Sequence, residues 1–220
     1  MNIGWKIEVA IILIFSIAAS MPVSASDPDS IMRELQKNDW EVRLINDAAL
    51  ERMNNQQSTE ALIELIRKQG LDWRLQMRGI RLLAQIHTPL AEDVLLQLFS
   101  DIFFHQGCPA VKSSLALALG NFAGPKVVEA LIEGLDDLEL PVREASIVSL
   151  GRVGDATAVP YLIAQLKDMR FMIKVSAIRS LGLLRDGRAV SSLEKIAGNA
   201  GEPLLRREAF IALSMIRKQS

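Results

Sequence analysis

A twelve-residue segment, Val142 to Val153 (VREASIVSLGRV), returns along this chain at a nearly constant interval, and that recurrence restricts the possible folds more than any other feature. Its copies begin at Val42, Leu75, Val111, Val142, Ile173 and Leu205, so successive starts lie 33, 36, 31, 31 and 32 residues apart. A leucine stands eight positions into each copy, as Leu50, Leu83, Leu119, Leu150, Leu181 and Leu213. A small residue follows it in five copies: Ala84, Gly120, Gly151, Gly182 and Ser214. A period in this range marks a stacked architecture, in which one unit cannot bury its apolar side until a neighbour covers it.

The second half of each unit keeps the same register. Twenty residues after the first five starts come Leu62, Leu95, Leu131, Leu162 and Leu193, and four residues later Ile66, Phe99, Leu135, Leu166 and Ala197. Within each half the apolar residues follow helical spacing, as in Val142, Ala145, Leu150 and Val153. Each unit therefore reads as a first helix, a short turn and a second helix. Composition agrees: Leu, Ile, Ala and Val dominate over one Tyr, seven Phe and three Trp, which suits stacked helices better than a β-sandwich. Gly154-Asp155 and Asp186-Gly187 punctuate the turns, and Thr157 is the expected cap of a second helix, with Pro160 at its third position. Gly120, Gly151 and Gly182 fall inside the first helix, where glycine costs about 1 kcal/mol against alanine. Close approach of neighbouring helices is the expected compensation, with Ala84 and Ser214 as the small substitutes.

The run Val142-Arg143-Glu144-Ala145, Leu150-Gly151-Arg152-Val153-Gly154-Asp155, Ala158-Val159-Pro160 and Leu162 resembles the HEAT-like repeats of the phycobilisome-lyase type, over residues 42 to 216. The resemblance implies an all-α superhelix, a right-handed solenoid of five helical pairs and a terminal half-unit. It says little of activity, because enzymes, adaptors and scaffolds share this repeat. The first two copies depart most, with Glu51 at the small position and Arg78 at the place of Ala145.

Ahead of the repeats, the apolar stretch from Val9 to Ala19 matches a secretory signal core and is too short to span a bilayer. Val23-Ser24-Ala25 supplies the small-residue spacing for cleavage after Ala25. The expected organisation is a signal peptide over residues 1–25, a linker and capping helix over 26–41, and the repeat domain over 42–220. The protein would then be periplasmic or secreted; a retained anchor is the competing reading. Residues 30–37 would cap one end of the stack, and Leu205 to Lys218 would be a first helix without its partner.

Catalytic chemistry is hard to place on this chain. A net charge of −1 gives no case for nucleic acid, and the single Cys108 excludes an internal disulfide. His87 and His105 are not followed by Glu, and no metal-ligand spacing occurs. Cys108 with His105 is a poor nucleophile–base pair, and Gly151 to Gly154 is a helix end with no phosphate-loop context. No cofactor is expected.

Binding is expected on the second helices, read here as the concave side. Their outward positions, eighteen and twenty-two residues after each start, are Glu60 and Glu64, Asp93 and Gln97, Glu129 and Glu133, Pro160 and Ala164, Ser191 and Lys195. The stripe is acidic in three units and neutral to basic afterwards, and Asp136 and Asp137 extend its acidic part. A protein partner with a basic segment would dock there, with Tyr161 and Gln165 as less charged contacts. The surplus residues of the long unit, Ser100 to Pro109, offer Phe103 and Phe104 either as a projecting loop or as packing between units. A second series, Arg43, Lys112, Arg143, Lys174 and Arg206, with Asp39, Asp137 and Asp168 ahead of them, suggests a ladder of ion pairs between units. The function expected is a non-catalytic interaction module or scaffold. The alternatives are an accessory, lyase-like enzyme with a concave ligand pocket and a subunit that stiffens a larger assembly.

Overall fold

The computed structural model describes residues 56–68, 70–101, 104, 108–199 and 201–218. The first helix of the first copy, the signal and capping segments, Asp39, Arg43, Phe103 and His105 lie outside the described residues. Among the described residues there are ten α-helices and no strand.

The chain forms two compact units, Met1–Gly70 and Leu71–Ser220. In the first, α1 (Gln56–Arg67) buries Ala61, Leu62, Leu65 and Ile66 and turns Glu60 and Glu64 to solvent.

The second unit alternates the two helix types read from the repeat. First helices are α2 (Trp73–Ile86), α4 (Pro109–Leu119), α6 (Leu140–Val153), α8 (Phe171–Leu184) and α10 (Pro203–Arg217). Second helices are α3 (Pro89–Ser100), α5 (Pro125–Glu133), α7 (Val159–Gln165) and α9 (Val190–Ala197). Each first helix packs on the first helix of the next repeat, as in an armadillo- or HEAT-like solenoid. The core repeats with the sequence: Leu95, Leu131, Leu162 and Leu193 are fully buried, as are Leu83, Leu119, Leu150 and Leu181. Burying each leucine removes side-chain area worth about 1.5–3 kcal/mol from water.

The small residues do what their spacing predicts. A Cβ on Gly120 would lie 2.7 Å from Ser149 Oγ, and one on Gly151 would lie 2.6 Å from Ser180 Oγ and 2.8 Å from Ser180 Cα. A Cβ on Gly182 would meet Ala212 Cα at 3.0 Å. The serines bond across the same seam: Ser149 Oγ donates to the Ala116 carbonyl at 2.7 Å, and Ser180 Oγ to the Ile147 carbonyl at 2.8 Å. Ala84 is buried, but Ser214 is exposed, because no further first helix covers α10 among the described residues. Gly120 closes α4 at its C-terminus, whereas Gly151 and Gly182 lie within their helices.

The turns differ from expectation in two places. Thr157 does not cap a second helix. Asp155 does the capping, its Oδ1 accepting from Thr157 N at 2.8 Å and Thr157 Oγ1 at 2.7 Å, and a 3₁₀ turn (Ala156–Ala158) leads into α7 with Pro160 in its first turn. Asp186 repeats this device on Arg188 N. The bonds from Thr157 hold the Asp155 carboxyl below the usual aspartate range, and the Arg188 guanidinium, with the Arg188 N–H, does the same for Asp186. The left-handed position that ends a first helix falls on Gly154 (φ 78°) in one repeat but on Arg185 (φ 52°) in the next, so Gly187 has no such role.

Candidate protein-interaction surface

The outward positions of the second helices emerge as read. Asp93, Gln97, Glu129, Glu133, Pro160, Ala164, Ser191 and Lys195 are all exposed in the second unit, and Asp136 continues the row from the turn after α5. This follows from helix geometry: residues eighteen and twenty-two positions after a start share one face, opposite the buried leucine between them.

Asp93, Glu129, Glu133 and Asp136 share one further property, which is that none has an ion pair or side-chain hydrogen bond among the described residues. Most carboxylates elsewhere are engaged. Asp137 binds Lys112, Glu202 binds Lys174, Glu194 binds Arg217, and Glu208 takes the Nε and Nη2 edge of Arg179 at 2.9 and 3.1 Å. Arg179 thereby holds the Glu208 carboxyl below the usual glutamate range.

The ladder of pairs is formed in part. Lys112 Nζ lies 2.5 Å from Asp137 Oδ2 and Lys174 Nζ 3.0 Å from Glu202 Oε1, each joining a first helix to the loop that opens the next. The rung between them is missing, against expectation. Asp168 turns to its own loop, accepting from Arg170 N at 2.6 Å, and Arg143 Nη1 donates to the Asp137 carbonyl at 2.6 Å and to the Leu138 carbonyl at 3.3 Å. Arg143 is only 9% exposed, and its Nε and Nη2 have no hydrogen-bond partner. Beside it opens a pocket of about 410 Å³ whose wall includes Asp136, Gln165 and Asp168. Gln165 thus reaches the acidic row, while Tyr161, half-exposed, lies one turn earlier on α7. Phe104 is half-buried.

Sequence reading did not anticipate a second feature of this edge. Leu138 and Met169, each four residues before a repeat start, are 94% and 97% exposed. Leu138 forms part of a further pocket of about 370 Å³ with Pro109, Asp136 and Glu139. The signal was available, because both residues stand at the same register among charged neighbours, Leu138 between Asp137 and Glu139 and Met169 between Asp168 and Arg170. No group of three metal-ligating side chains comes together among the described residues. His87 sits at the end of α2 with Nδ1 2.8 Å from the Gln85 carbonyl oxygen, and Cys108 is a free, half-buried thiol. No described helix is long and apolar enough to cross a membrane.

Comparison with known proteins agrees with this architecture. The family model described as HEAT repeats matches residues 96–170. No curated protein matches the chain. Among solved structures, an engineered protein shares 20% identity over 87% of this chain and 96% of its own, with a TM-score of 0.54. The complex of CpcE and CpcF of phycocyanin lyase from Nostoc sp. gives 21% identity over 86% of this chain and 76% of that chain, at a TM-score of 0.51. A designed armadillo repeat protein in complex with the peptide (KR)4 gives 19% identity over 86% and 98%, at 0.52. At these identities the likeness is one of fold.

Proposed function

We propose that this HEAT-type solenoid is a non-catalytic interaction module outside the cytoplasm that receives a basic segment of a protein partner on the acidic face of its second helices. The observation that carries the reading is the row Asp93, Glu129, Glu133 and Asp136: four exposed carboxylates left unpaired in a molecule that engages most of its others. Such a row lowers the cost of bringing up lysines and arginines and speeds their encounter. A designed solenoid of the same fold has been solved with (KR)4, a peptide of that sign. Concavity is not needed for this reading. Export rests on the apolar stretch and cleavage spacing ahead of Ser26.

The test is affinity capture from an envelope or culture fraction, with mass spectrometry comparing the wild type and E129K/E133K. The expected outcome is loss of one specific partner at an unchanged melting temperature; equal recovery of every partner by both proteins overturns the reading. Intact mass of the exported protein checks export, the expected species beginning at Ser26.

A further inference from the structure

Among the described residues, α10 exposes a face that the repeat pattern buries in the other first helices. The position five residues after a repeat start is fully buried as Ile80, Ala116, Ile147 and Ile178, yet in α10 it is Phe210, 57% exposed. Ser214, at the seam position, is also open, and Leu204 and Ile211 flank the same face. Here an aromatic ring sits between Arg207, three residues earlier, and Arg217 and Lys218 at the helix end.

The opposite chemistry lies on the same molecule. Leu138, almost wholly exposed, lines the 370 Å³ pocket together with Pro109, the Lys112–Asp137 pair, and Asp136 and Glu139, whose carboxylates are unpaired among the described residues. The whole unit is divided likewise. Residues 89–168 carry eleven Asp and Glu against five Lys and Arg, whereas residues 169–220 carry ten Lys and Arg against four Asp and Glu. The net charge of −1 conceals this dipole.

We propose that a second copy of this chain is the occupant: the α10 face of one molecule docks on the Leu138 edge of the next, Phe210 entering the pocket against Leu138 and Arg207 facing Asp136 and Glu139. Two α10 faces do not pair with each other, because Arg207 would be brought against its own copy without a counter-charge. A contact between two different surfaces leaves one of each free on a dimer, so association continues to a ring or an open chain. The inference deepens the reading of the acidic face by naming one occupant, and it fails separately, because Glu129 and Glu133 remain free for a foreign segment when Phe210 is altered.

Sedimentation velocity of the full chain between about 10 and about 500 μM, a range suited to a small interface, tests it. The wild type gains average mass with concentration, less so when salt rises from about 50 to about 500 mM. F210E and D136K/E139K each stay monomeric, and their equimolar mixture forms a dimer and stops there, since only one sound pair of surfaces remains. Folding of each variant is checked by its melting temperature. A wild type monomeric throughout overturns the proposal, as does a D136K/E139K protein that still associates, or a mixture that stays monomeric. If the wild type is monomeric while E129K/E133K still loses its partner, the docking role of the acidic face stands and self-association falls.

Discussion

Ser180 Oγ donates to the carbonyl oxygen of Ile147 at 2.8 Å, and the same hydroxyl lies 2.6 Å from where Gly151 would carry a Cβ. One side chain thus joins two first helices by a bond and, through the glycine opposite, by contact. G151A places a methyl group against the Ser180 backbone and is expected to cost about 1–3 kcal/mol in urea unfolding. G182A meets Ala212 at a longer distance and is expected to cost less. S180A removes the bond alone, at about 0.5–1.5 kcal/mol.

Arg185 occupies the left-handed position that Gly154 fills one repeat earlier. A side chain in that region is strained by about 1–2 kcal/mol, which glycine avoids. R185G is therefore expected to raise the unfolding free energy by about 0.5–1 kcal/mol, and G154A to lower it by about 1 kcal/mol. Thermal melts of the two variants should move in opposite directions.

Lys112 and Arg143 hold equivalent places in the repeat but different partners. Lys112 bonds the Asp137 carboxylate, whereas Arg143 is buried with two nitrogens unbonded. R143M removes a poorly satisfied buried cation and keeps an apolar stem, so it is expected to be within about 1 kcal/mol of neutral. K112M removes this charged hydrogen bond, whose Asp137 side chain is 11% exposed, and should cost about 1–3 kcal/mol by chemical denaturation.

Glu208 is nearly buried and its carboxyl is depressed by Arg179. A group whose folded value is lowered contributes stability above its unfolded value and loses it as pH falls through the folded one. Unfolding free energy should therefore be level near neutrality and decline below about pH 5, with a shallower decline in E208Q. Equal acid slopes for the two proteins would count against the pairing.

The repeat made much of this structure legible. Leucines in fixed register and outward positions two residues to either side of them follow from one helical period, so Leu131 inward and Glu129 and Glu133 outward were readable together. What the period does not carry is the partner across the seam. Gly151 announced a close approach, but Ser180 as its partner depends on the offset between neighbouring helices. The choice of Asp155 over Thr157 as a cap depends on a 3₁₀ turn that shares its sequence with an α-helical start. The missing rung at Arg143 is set by where two loop carbonyls happen to point. Exposed Leu138 and Met169 were passed over because a pattern built on helices gives no weight to the residues between them.

Val111 and Val142 open units of equal length, and the seams on either side of the Val142 unit each pair a glycine with a serine. Excising residues 142–172 would bring Gly120 opposite Ser180 in place of Ser149, with the same atoms meeting in the same order. The second unit is in this sense built in steps of one hairpin, and a step can be removed or added without redesigning a single joint.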